Sequence, residues 1–111
     1  MKRIAIIGLG LIGGSLALAL KKATDGQVEI VGSSRSSETV ARAKRRGAID
    51  RPAGDLASAV KRADLVIIAT PVMVTKDVLS SISKHLPPKC VVTDTGSTKV
   101  KVMQWAENTY R

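Results

Sequence analysis

Three closely spaced glycines carry the most specific chemistry in this sequence. Gly8, Gly10 and Gly13 fall in the spacing G-x-G-x-x-G, within the run Gly8-Leu9-Gly10-Leu11-Ile12-Gly13. The first place permits a tight turn, the second lets backbone approach a charged group with no side chain between, and the third lets a helix pack closely on a strand. Where a helix begins at such a turn, its free N–H groups and the positive end of its dipole suit a phosphate. With 9 glycines in 111 residues the spacing alone is weak. Its placement strengthens it: the turn follows the short apolar run RIAII at 3–7 and opens a stretch in which Leu16, Ala17, Leu20 and Ala23 recur at helical spacing. The turn is expected to hold the pyrophosphate of a dinucleotide, with Gly8, Gly10, Leu11, Ile12 and Gly13 as its contacts.

About 20 residues past such a turn, at the end of the second strand, an Asp or Glu binds the ribose 2′-hydroxyl of NAD. Ser33 and Ser34 occupy that place here, followed by Arg35 and Ser36. A carboxylate would repel a 2′-phosphate, whereas serine hydroxyls can donate to it and Arg35 can form charge-assisted bonds worth about 1.5–3 kcal/mol each. The arithmetic gives a preference of about 10- to 100-fold for the phosphorylated cofactor. NADP is the expected cofactor and NAD the weaker ligand. Ser36 and Ser37 add donors at the start of the next helix, while Arg42, Arg45 and Arg46 lie too far along it and are expected to form a solvated basic face.

Two later loops belong to the same rim if the strands run parallel. Thr70-Pro71 follows the run LVIIAT, where Pro71 stiffens the backbone beside the cofactor ribose. Asp94-Thr95-Gly96-Ser97-Thr98-Lys99 brings polar groups and a glycine suited to the nicotinamide end. His85, the single histidine, stands just before Pro87 and reads as a surface residue at a helix end; Cys90, the single cysteine, reads as a small buried thiol. No cluster has metal-ligand spacing, and no Ser/His/Asp arrangement is visible.

The elements that must position these residues alternate between short apolar runs and helical periods, the pattern of βαβ units. Strands are expected at 3–7, 28–32, 48–50, 65–70 and 91–93, and helices at 12–22, 37–46, 55–62, 75–85 and from about 98 onward. The fold class that follows is α/β: a Rossmann-type, doubly wound parallel sheet of about five strands in a single domain, 1–111. Aromatics make up only 2% of the chain, so the core must be aliphatic. A net charge of +9 raises the question of a polyanionic partner. Nucleic acid is not expected, because single strands are read largely on aromatic platforms. The longest apolar stretches fall well short of the ~20 residues a bilayer span needs, and with one cysteine the expectation is a cytoplasmic protein without a membrane partner.

Four segments resemble the N-terminal domain of prephenate and arogenate dehydrogenases, the oxidoreductases of tyrosine biosynthesis: IIGLGLIGGSLALAL at 6–20, GSSRS at 32–36, ADLVIIATPV at 63–72 and VVTDTGSTK at 91–99. The resemblance implies oxidative decarboxylation of prephenate or arogenate with hydride passing to the nicotinamide. It also implies that Ser97, in the G-S-x-K segment, lies near the substrate and the catalytic histidine. In the family that histidine, and the helical domain for substrate binding and dimerisation, come further along than residue 111; His85 does not match it. The expectation is thus a cofactor-binding domain, inactive and monomeric alone, whose substrate is met only in a longer homodimeric enzyme. Two alternatives are the NADP domain of another dehydrogenase, of the β-hydroxyacid dehydrogenase or pyrroline carboxylate reductase type, and a stand-alone NADP sensor.

Overall fold

The apolar run at 3–7 pleats into the middle of a sheet, where both of its faces are covered. The computed structural model describes residues 3–70 and 72–94. Within them β1 (Arg3–Ile7) sends Ile4 and Ile6 into one apolar layer and Ala5 and Ile7 into the other, all of them buried. A strand with two dry faces has no use for alternating polar residues. The remaining elements are α1 (Leu11–Ala23), β2 (Glu29–Ser33), α2 (Ser37–Arg45), β3 (Arg51–Pro52), α3 (Leu56–Val60), β4 (Leu65–Ile68), α4 (Val72–Ile82) and β5 (Val91–Asp94). The five strands are parallel and ordered β3-β2-β1-β4-β5. α1 and α2 cover one face through Leu16, Ala17, Leu20 and Ala43; α3 and α4 cover the other through Ala59, Val60, Val78 and Ile82. This is the doubly wound α/β sheet read from the sequence, and its described core is aliphatic.

Helix ends follow from short-range chemistry. α1 stops at the Asp25-Gly26 pair, both at positive φ, where the Gly26 amide donates to the Lys21 carbonyl at 2.9 Å. α2 starts where Ser36 Oγ accepts from the Thr39 amide at 3.2 Å and ends before Gly47, whose φ of 75° lets the Ala48 amide reach back to the Ala43 carbonyl at 3.0 Å. α3 is capped by Asp55, whose carboxylate accepts from the Ser58 amide at 2.7 Å.

The third strand lies three residues later than the expected 48–50. Ala48 is used in closing α2, and it and Ile49 are apolar because they are buried beneath the sheet edge, not because they pleat; pairing with β2 occurs at Arg51 and Pro52. α4 begins at Val72, ahead of the expected 75, despite the β-branched Val72 and Val74, since packing of Val74 and Val78 on the sheet overrides local propensity. It also closes earlier, in a tight turn where the His85 amide donates to the Ile82 carbonyl at 2.8 Å. The helix expected from about 98 lies outside the described residues.

Asp50 ties α1, β2 and α2 together. Its carboxylate accepts from the Ile30 amide at 2.7 Å and pairs with Lys21 Nζ, which also donates to the Val28 carbonyl at 2.7 Å, while Lys44 Nζ donates to the Asp50 carbonyl at 2.6 Å. Burial alone would push the Asp50 carboxyl up; the Lys21 bond, the Ile30 amide and the positive fields of Lys21 and Lys44 outweigh it and hold the group below its ordinary value. A carboxyl depressed on folding adds stability that is complete above its unfolded pKa and is lost as the pH falls through the folded one. Asp50→Asn is therefore expected to lower the urea midpoint at neutral pH. The deficit should shrink below the ordinary aspartate value of about 3.9. A deficit that persists unchanged at low pH would show that the ion pair is not its origin.

Candidate functional site

Register brings the carboxyl ends of the strands to one rim. Ile7 lies opposite both Ser33 and Ile68, and Ile68 lies opposite Asp94, so the chain leaves β1, β2, β4 and β5 at a common level. At the switch point, β1 turns into α1 while β4 leaves in the opposite direction, which opens a crevice between them.

Gly8 turns at a φ of 96°, and its amide donates to the Ser33 carbonyl at 2.8 Å. A Cβ there would sit 2.9 Å from the Ala69 backbone and 3.1 Å from Thr70 Cγ2, so the turn is pressed against the loop after β4. Gly13 packs behind it: its Cβ would fall 1.9 Å from the Gly8 carbonyl oxygen. Gly10 is different. It is exposed, with φ at −68° and nothing within 4 Å of a Cβ, so neither strain nor packing calls for glycine there. It is the N-cap residue of α1, and no side chain caps that helix, so the first N–H groups of the helix, from Leu11 onward, lack a side-chain partner. An uncapped helix start behind a bare backbone fits an anion brought in from outside.

A cleft of about 500 Å³ lies against this turn. Gly8, Gly10, Ser33, Ser34, Arg35 and Thr70 border it, joined by the apolar Ile7, Leu56, Ala69, Val74 and Val78. Ser33 is buried, Ser34 half-buried and Arg35 exposed. Six residues singled out from the sequence thus meet in one crevice. Ser36 is not in its lining; it is occupied in capping α2, with its amide on Ser34 Oγ at 3.3 Å. Gly13 stands behind the turn, and Leu11 and Ile12 form the first residues of α1. Pro71 and Ser97 lie outside the described residues, as does the D-T-G-S-T-K loop beyond Asp94.

Gly54, Asp55, Leu56, Val74 and Val78 were not expected at the site. Nothing in the sequence sets the apolar ones apart from core residues, and Asp55 was read only as the first residue of a helix. The Ser58 amide and hydroxyl, aided by the positive field of His85, hold the Asp55 carboxyl below its usual range, so a fixed negative charge lines the cleft beside Gly54. His85 is exposed at the end of α4 and is not in the cleft lining. Cys90 corrects an expectation: it is half-buried, packed at the margin of the second apolar layer. Burial and the nearby Asp64 push its thiol up, which keeps it protonated. Among the described residues no group of His, Cys, Asp and Glu could hold a metal ion, and no helix is long and apolar enough to cross a membrane. Arg42, Arg45 and Arg46 are exposed, with Arg42 paired to Glu38 at 3.4 Å.

The family model for the nucleotide-binding domain of prephenate dehydrogenase matches residues 16–111. A prephenate dehydrogenase of Lactococcus lactis is 41% identical over 111 residues, covering 99% of this chain and 30% of that protein. One from Bacillus subtilis is 44% identical over 105 residues, covering 94% and 28%. Among solved structures, the arogenate dehydrogenase of Synechocystis superposes with a TM-score of 0.77 at 30% identity, over 97% of this chain and 37% of that one. A prephenate dehydrogenase from Aquifex aeolicus, solved with hydroxyphenyl propionate and NAD+, shares the fold with a TM-score of 0.78 at 24% identity, over 99% of this chain and 40% of that one. The chain spans about a third of the length of the curated relatives it matches.

Proposed function

The chain belongs to the family of prephenate dehydrogenase nucleotide-binding domains, and from that premise we propose that it binds NADP for the oxidative decarboxylation of prephenate or arogenate. The observation that carries the reading is the uncapped start of α1 behind Gly10, beside a cleft that Ser33, Ser34 and Arg35 also line. In this reading the amides at the start of α1 hold the pyrophosphate, and Gly8, Gly10 and Gly13 give it a close, rigid seat. Ser33, Ser34 and Arg35 take the adenosine 2′-phosphate, with Ser36 adding a donor at the start of α2. Thr70 and Pro71 lie under the ribose of the other half, and Ser97 faces the substrate. When bound, the nicotinamide accepts the hydride that the substrate gives up as carbon dioxide leaves.

Asp55 favours a second reading, in which a carboxylate receives the ribose hydroxyls of NAD. Against it, the Asp55 carboxylate already accepts from the Ser58 amide as the cap of α3, and Asp55 is not at the end of the second strand, the position that reads the ribose.

The rest of the reading concerns a longer protein: the substrate and its catalytic histidine belong there, a homodimer forms there, and residues 1–111 alone are a cytoplasmic, monomeric, inactive cofactor holder. Calorimetric titration of the unmodified chain with NADP+ and NAD+ tests the core of it. Binding of NADP+ at least tenfold tighter is the expected result. Equal affinities would remove the 2′-phosphate argument, and tighter NAD+ binding would favour Asp55.

A further inference from the structure

The loop after β4 is held by a pair of hydroxyls. Thr70 lines the cleft, and its Oγ1 lies 3.1 Å from Oγ1 of Thr75, in the first turns of α4. Thr75 Oγ1 also lies 3.4 Å from the Thr70 carbonyl oxygen, to which it can donate. On the other side, the Thr70 methyl is the group that a Cβ on Gly8 would meet at 3.1 Å. Thr70 is thus wedged between the glycine turn and α4, its methyl toward the one and its hydroxyl toward the other. Rotation about its χ1 would drive the methyl off the turn or break the contact with Thr75.

We propose that Thr75 is a positioning residue for the nicotinamide half of the cofactor, acting through Thr70. The inference rests on the dinucleotide reading above. A dinucleotide spreads across the crevice in two halves, the adenosine half over β2 and the other over β4. Thr75 is outside the cleft lining, and its hydroxyl meets Thr70 on the β4 side of this arrangement. When Thr75 donates to Thr70 Oγ1, the Thr70 proton is released to point into the cleft; when it donates to the Thr70 carbonyl, that proton is drawn back toward Thr75. In either state Thr75 fixes where the Thr70 hydroxyl stands.

Three chains test this: the unmodified protein, Thr75→Val, which keeps the shape and loses the hydroxyl, and Thr75→Ser, which keeps the hydroxyl. Each is titrated with NADP+ and with adenosine 2′,5′-bisphosphate, which carries the adenosine half alone; NAD+ and AMP are run in parallel. Thr75→Val is expected to weaken the dinucleotide about fivefold, the worth of one neutral hydrogen bond, while leaving the adenosine fragment within about twofold. Thr75→Ser should restore the dinucleotide. Retained binding of the fragment also shows that the variant is folded. Equal losses for dinucleotide and fragment would reveal a structural role only, and no loss for either would show that Thr75 positions nothing; both overturn the inference while the cofactor reading stands. An unmodified chain that binds neither dinucleotide overturns both.

Discussion

Gly13→Ala is expected to destabilise the chain by roughly 3 kcal/mol, the upper end of what an added core methyl costs. Gly14→Ala, one residue on in the same helix, is expected to stabilise it by about 0.5–1 kcal/mol. The opposite signs come from what each methyl meets. At Gly13 the new Cβ would lie 1.9 Å from the Gly8 carbonyl oxygen and 3.0 Å from its carbon, backbone atoms that can yield only by moving the turn. At Gly14 the nearest atom is the Leu9 carbonyl oxygen at 3.6 Å, an ordinary contact, so the helix gains alanine's better propensity without strain. Urea unfolding of both variants measures the difference. Because domains of this size are stable by only ~5–15 kcal/mol, the first loss should be plain in the midpoint. Equal shifts for the two variants would mean that α1 does not sit against β1 as closely as this. Gly13→Ala should also lose cofactor, since fitting the methyl shifts the Gly8 turn that borders the cleft.

Arg35→Ala should cost between about 10- and 100-fold in affinity for NADP+ and leave NAD+ within about twofold. The lower end is the better expectation. Arg35 is exposed, so solvent and salt screen its charge. For the same reason the NADP+ advantage of the unmodified chain should narrow as salt is raised, whereas NAD+ binding should respond less. Calorimetry at two ionic strengths checks both points on one pair of samples. A variant that loses NADP+ and NAD+ alike would show that Arg35 supports the loop and does not read the phosphate.

The residues that meet at the cleft were legible in the sequence where chemistry dictates residue type, and hidden where packing does. Gly8 and Gly13 were legible because a tight turn and a close helix each exclude other residues, and Gly10 was read from its place between them. Ser34 and Arg35 were legible because the chain position past the glycine turn already says which part of a ligand they would meet. Leu56, Val74 and Val78 were not, since an apolar residue that lines a cleft has the same pattern as one that fills a core. Thr75 was hidden for another reason: its partner Thr70 is near in sequence, but helix propensity placed the start of α4 three residues late and read the intervening valines as loop. The same competition moved β3. Ala48 and Ile49 looked like a strand because they are apolar, yet the αL turn at Gly47 commits Ala48 to closing a helix.

β3 pairs with β2 through two residues only, and the second of them is Pro52. Its exposed outer edge offers no amide at that proline, and Arg51 beside it brings a charge. A row of unpaired backbone groups at a sheet edge is a template on which a second copy can add a strand, and with it a route to aggregation. On this side the template is too short and too interrupted to be copied.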